Sequence, residues 1–150
     1  MRTLPILFLI IITLFSCDSE KVVEIDENAF VYRTEEGTLK LTKDPAFYKE
    51  LFSERFQHLE QEIDFEKFWI HSNGESAYLM GKGTTKVGTT EAAIEIVEQD
   101  NAFAFGNCSE SCSGVGCSHC KLVIGDGCDC EKKATSDGYC NHSIDCDSYY

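Results

Sequence analysis

Eight of the nine cysteines fall between Cys108 and Cys146, at the C-terminal end of a 150-residue chain. No other feature restricts the fold as strongly, because each thiol must pair, hold a metal or stay reduced, and the compartment decides which of these is open. The stretch CSHCK at 117–121 shows the choice. Cys117 and Cys120 have the spacing of a zinc knuckle, of a haem or redox motif, and equally of two separate cystine halves. The tail around them is poor in apolar side chains: from Asn107 to Tyr150 it holds Val115, Leu122, Val123, Ile124 and Ile144, beside Tyr139, Tyr149 and Tyr150. That supply does not fill a conventional core. Segments of this kind are held by metals or by disulfides, each disulfide contributing about 2–4 kcal/mol.

The N-terminus speaks to the compartment. In MRTLPILFLIIITLFSC, one basic residue, Arg2, precedes an uncharged run from Thr3 to Ser16, which stops before Asp18, Glu20 and Lys21. This is the pattern of an export signal, and it is shorter than the roughly 20 apolar residues of a spanning helix. Its end, Leu14, Phe15, Ser16 and Cys17, resembles the lipobox of bacterial lipoprotein precursors. The resemblance implies a signal peptide over residues 1–16, cleavage before Cys17, and lipidation of the Cys17 sulfur with diacylglyceryl, the group that palmitate labelling reports. It also implies a protein of the bacterial cell envelope, anchored to the membrane through its N-terminal lipid and facing the periplasm or the cell surface. Asp18 is similar to the retention or surface-export residues of different bacterial lineages, which leaves the leaflet open. With Cys17 committed to lipid, the odd total becomes even, and Cys108, Cys112, Cys117, Cys120, Cys128, Cys130, Cys140 and Cys146 are expected to form four disulfides.

Spacing alone does not select among the 105 pairings that eight cysteines allow. One local exclusion holds. In an extended CDC segment Cys128 and Cys130 project from the same face, and a bond between them closes a strained small ring, so each is expected to pair elsewhere. The alternative is zinc, held by Cys117 and Cys120 with His119 and His142 nearby; it needs thiolates, which an oxidising envelope removes. A redox pair of Cys117 and Cys120 is a further option, although no βαβ pattern surrounds it. An iron–sulfur ferredoxin run is absent, and CSHCK is similar to lysine-ligated haem sites of multihaem nitrite reductases in five residues only.

The middle of the chain reads as a small folded body. Residues 17–28 are a polar tether, 29–106 an acidic α+β body and 107–150 the cysteine-rich module. Within the body, AFVYR and TLKLT flank Glu35, Glu36 and Gly37 as a hairpin. Asp44 and Pro45 start a helix as N-cap and first residue, and Phe47, Leu51, Phe52, Leu59 and Ile63 recur at helical spacing, which predicts a helix to about Ile63. Asn73-Gly74 marks a second hairpin, and Gln99, Asp100 and Asn101 a third. The fold class expected is α+β: a small antiparallel sheet with one main helix, followed by a small disulfide-rich module.

Charge narrows the functions. The chain carries 13 basic and 26 acidic residues, a net −13, with no basic stripe to neutralise phosphates, so no nucleic-acid partner is expected. GKGTTKVGTT fails the phosphate-loop pattern and reads as a flexible connection between strands. His58 and His71 have no nucleophile motif beside them, and the acidic residues are too many for any pair to stand out, so no catalytic residue is assigned. Trp69, Phe68 and Tyr78 are expected to pack the sheet. The reading is a lipid-anchored binding or structural module with a disulfide-stapled tip, its partner an envelope protein; the alternative is metal or thiol redox chemistry at the C-terminal cysteines.

Overall fold

The computed structural model describes residues 28–59, 61–100 and 102–146. The signal segment, Cys17 and nearly all of the tether, with Tyr149 and Tyr150, lie outside the described residues. In chain order the elements are β1 (Val31–Arg33), β2 (Leu39–Leu41), α1 (Pro45–Arg55), β3 (Asp64–Ser72), β4 (Ala77–Thr84), β5 (Thr89–Gln99), β6 (Ala102–Val115), β7 (Cys117–Val123), β8 (Gly127–Lys133) and β9 (Tyr139–Cys146). β1 and β2 form their own antiparallel pair. The other strands make a seven-stranded sheet in the order β3-β4-β5-β6-β9, from which the β7–β8 hairpin branches.

This corrects the expected α+β class: the described chain is mostly β, nine strands against one helix of 11 residues. Two things differ from expectation. The cysteine-rich tail is built of strands β6 to β9 that belong to the main sheet, and the helix is shorter than its apolar spacing suggests. Its start is as expected, with Asp44 accepting from the Phe47 amide and Pro45 in the first turn. Its end is not. After Arg55 the chain tightens, the Gln57 amide bonding to Glu54 O and the Leu59 amide to Phe56 O. Leu59 and Ile63 still pack on the same core from this irregular segment. Their spacing therefore records burial and not helix, a confusion inherent in reading period from apolar positions alone.

Each face of the sheet carries a buried core. Alternation in β4 and β5 assigns the sides: Leu79, Ala92 and Ile94 point to one core, Met80 and Ala93 to the other. The first core holds α1 and the β1–β2 pair, with Phe52 fully buried and its ring centroid 4.9 Å from Phe65, 5.4 Å from Phe68 and 5.6 Å from Phe56. Helix and sheet approach closely at Gly81, where a Cβ would lie 2.6 Å from Phe52 Cδ1. Arg33 secures the small sheet from outside, bonding Glu98 at 2.7 Å with its guanidinium 5.5 Å from the Phe103 ring centre. Lys49 bridges α1 to Asp64 at 2.5 Å, and that hydrogen bond raises the ammonium pKa. The raised value means that its stabilisation is present below the ordinary lysine range and lost only as pH rises through it, and solvent screens the exposed pair. The second core is built from cystine.

Of the three expected hairpins all form, β1–β2, β3–β4 and β5–β6. The Asn73 side chain closes the second by accepting from the amides of Glu75 and Ser76. GKGTTKVGTT does join two strands, but most of it is itself strand. Residues 81–84 finish β4, Thr89 opens β5, and only 85–88 connect them, pinned by the Thr85 amide on Gly88 O at 2.7 Å. The glycines that suggested flexibility serve close packing.

Tyr48 provides a first prediction. Its hydroxyl is buried, donates to Phe30 O at 2.6 Å and accepts from the amides of Thr42 and Lys43 at 3.2 and 3.1 Å. Tyr48→Phe removes this shared partner while the Thr42 amide keeps its bond to Phe30 O at 3.1 Å, so stability is expected to fall by about 0.5–1.5 kcal/mol. Urea denaturation at an unchanged slope checks it.

Candidate functional site: the cystine-ringed face

The tail folds over the second face of the sheet because β6 is long. It runs 14 residues, pairing with β5 along one edge and with β9 along the other. At its end the chain reverses through Gly116, whose φ of +63° favours glycine. The position is also tight, since a Cβ there would strike the Thr135 hydroxyl and lie 3.2 Å from Gly138 Cα. Gly116 O accepts from the amides of Ala134 and Thr135, which ties the β8–β9 connection to this corner. β7 then meets β5 at one parallel bridge, Thr89 to His119, and pairs along its length with β8.

Four disulfides hold the arrangement: Cys108–Cys146, Cys112–Cys128, Cys117–Cys130 and Cys120–Cys140. Each of β6, β7, β8 and β9 carries two of these cysteines, and each is bonded to two of the others. The bonds run β6 to β9, β9 to β7, β7 to β8 and β8 back to β6, a closed covalent ring of four strands. Cys128 and Cys130 take partners on different strands, as the CDC geometry requires. The ring supplies most of the second core, in which Cys112, Cys117 and Cys120 are buried with Met80, Ala93 and Leu122. Trp69 and Tyr78 pack against it, and Phe68 packs against the first core.

One ionised cluster lies beneath the hairpin. Glu91, 8% exposed, accepts from Lys82 Nζ at 3.0 Å and from the Leu122 amide at 3.2 Å. Lys82 and Glu91 stand directly opposite in the β4–β5 register, so one cross-strand pair also clamps β7. The abundance of acidic residues hid Glu91 at the level of sequence. The usable signal was its place inside TTEAAIEIV, a charge in a strand otherwise fit for burial. Glu91→Ala is expected to speed amide exchange at Leu122 by about 10-fold or more, the charge-assisted bonds being worth about 1.5–3 kcal/mol. Hydrogen-exchange NMR checks it.

The zinc alternative fares unevenly. Cys117 and Cys120 sit in different disulfides, His119 contacts the Ser118 hydroxyl at 3.1 Å, and His142 pairs with Glu110 at 3.0 Å across the sheet. The structure does not bring these four together. It instead gathers sulfurs: Cys112, Cys120 and Cys140 lie within 4.8 Å of one another, and so do Cys117, Cys130 and Cys140. As cystines these atoms offer no thiolate and do not fit zinc. In CSHCK, His119 is half-buried and Lys121 exposed. His58 lies 3.9 Å from Asp145, and His71 is exposed.

Beside the hairpin the face stays open. A shallow cleft of about 210 Å³ is lined by Tyr78, Glu95, Glu110, Ile144 and the Cys108–Cys146 bond. Comparison with protein-family models, curated proteins and solved structures finds no match to this chain.

Proposed function

We propose that this chain is an exported, lipid-anchored protein of the bacterial cell envelope whose cystine-ringed sheet serves as a binding or structural module. One observation carries the reading: four disulfides joined in a single ring of strands. Disulfides persist where glutathione and thioredoxin do not reduce them, which supports export. A surface held by such a ring gives up little freedom when a partner docks, which suits recognition. The lipobox resemblance at Leu14 to Cys17 adds the anchor, and the ninth cysteine then has a role of its own. Among the described residues no helix is long and apolar enough to cross a membrane.

Two measurements test it. Intact mass of protein trapped with alkylating agent in cells is expected to show no alkylated tail thiol and a gain of eight hydrogens on reduction. Palmitate label is expected to enter the wild-type chain and to be lost in Cys17→Ser. Free tail thiols in freshly trapped cells would sink the export reading. A second reading, metal held by the reduced tail, is favoured by the two sulfur triads. It predicts thiols that resist alkylation until a chelator is added.

A further inference from the structure

The main sheet has two ends, and they are treated differently. β3, at one end, carries Lys67 and a register shift between Phe65 and Lys67, and it packs against α1 and β2. Lysine, bulges and cover are the usual devices by which an edge is blocked against further pairing. β9, at the other end, has no lysine and no register shift; β8 and β7 pack against it but do not pair with it. Its register with β6 is unbroken from Cys108↔Cys146 to Val115↔Tyr139, it contains no lysine, arginine or proline, and Tyr139 and Ile144 are more than half exposed. Disulfides pin it near both ends, Cys140 to β7 and Cys146 to β6.

The register also tells which backbone groups are free. Cys108 and Cys146 have a Cα separation of 4.1 Å, the close spacing of a non-hydrogen-bonded antiparallel pair, about 4.5 Å against about 5.5 Å for a bonded one. Residues in such pairs turn their N–H and C=O away from the neighbouring strand. By alternation Cys140, His142, Ile144 and Cys146 aim theirs outward, while Asn141, Ser143 and Asp145 bond to β6. Consistent with this, Asp145 O faces β6, accepting from the Ser109 hydroxyl. Among the described residues, no other strand pairs with β9 and no turn or loop backbone bond reaches its outward groups.

We propose that β9 is a preformed template for strand addition, and that its occupant is an extended, basic segment of a partner protein. This rests on the binding-module reading and names the partner's chemistry. Main-chain bonds from an added strand satisfy the outward groups, and alternate side chains give selectivity. The charge comes from this chain: at −13 overall it repels a second copy and attracts a basic strand. Locally, an added strand lies about 4.8 Å beyond β9. An arginine on its cystine-facing side would cross exposed Ile144 and bring its guanidinium to Glu110, whose carboxylate also contacts His142 at 3.0 Å, with Glu95 on the far side of the cleft. Its aliphatic stem covers the isoleucine, and its fork meets a carboxylate.

The test uses the full oxidised chain in vitro, so it does not depend on export. The probe is a short synthetic peptide alternating arginine and valine, with a glutamate-for-arginine version as control. Residue-resolved hydrogen exchange is expected to show the amides of His142 and Ile144 slowed by the arginine peptide, those of Ser143 and Asp145 unchanged, and no effect of the control. Ile144→Pro removes one outward donor at an edge position where proline is tolerated and is expected to weaken binding by about 10-fold or more, whereas Ile144→Thr keeps the donor and the binding. Glu110→Gln, which leaves the backbone alone but alters the His142 contact at 3.0 Å, and Glu95→Gln, which leaves that contact in place, are each expected to weaken the arginine peptide selectively, and together they cover the case of a poorly folded proline variant. Slowing without alternation, equal response to the control peptide, or no response overturns the proposal, and so does a dimer seen by sedimentation without peptide. An envelope partner whose binding ignored Ile144→Pro would refute the edge site and leave the binding-module reading intact.

Discussion

Removing the Cys120–Cys140 bond by paired alanine substitution is expected to lower the free energy of unfolding by about 2–3 kcal/mol. The bond closes a loop with a sequence separation of 20, for which chain entropy alone suggests about 3 kcal/mol. The true figure sits below that because opening one link of a ring leaves all four strands still connected through the other three, so the unfolded chain gains less freedom than a lone crosslink would release. Cys120→Ala by itself should behave differently. It frees the Cys140 thiol within 4.8 Å of Cys117 and Cys130 sulfurs, and the thiolate can attack that neighbouring cystine, forming one new disulfide as it expels the other cysteine as thiolate. A mixture of isomers is expected, rising with pH as the thiol ionises. Guanidinium denaturation of the double variant and peptide mapping of the single variant decide both points. A single variant with one native set of three disulfides at pH 8 would show that the sulfurs are not within exchange reach.

The opposite core gives the second large effect. Phe52→Ala is expected to destabilise the protein by about 3–5 kcal/mol, the range for deleting a fully buried phenyl ring. The effect should be coupled to Gly81, whose missing Cβ makes room for that ring. Gly81→Ala alone overpacks the contact and is expected to lose about 1–3 kcal/mol. Combined with Phe52→Ala it should lose less than the sum of the two, because the added methyl enters space that the phenyl has vacated. A double-mutant cycle by urea denaturation reads the coupling. Strict additivity would mean that helix and sheet do not meet at this pair.

Local chemistry was legible wherever a residue acts on its near neighbours. Asp44 and Pro45 start the helix, Asn73-Gly74 turns its hairpin, and the CDC spacing forbids one bond, all within a few residues of chain. The helix end was not legible, since Leu59 and Ile63 follow helical spacing while packing from an irregular segment. Nor was the fold class, because the tail looked too poor in apolar residues to be sheet; its core is completed by Met80 and Ala93 of the body together with its own sulfur. Glu91 was lost among many carboxylates until burial singled it out.

What this sequence determines alone is that its tail needs disulfides or metal to hold it, since its apolar side chains are so few, and that Cys128 and Cys130 do not bond to each other. Which cysteine meets which was decided only by tertiary structure. A disulfide forms between sulfurs that strands bring together, and here the neighbours of each strand depend on a 14-residue β6 and a turn at Gly116, whose consequences reach across 38 residues to join Cys108 with Cys146.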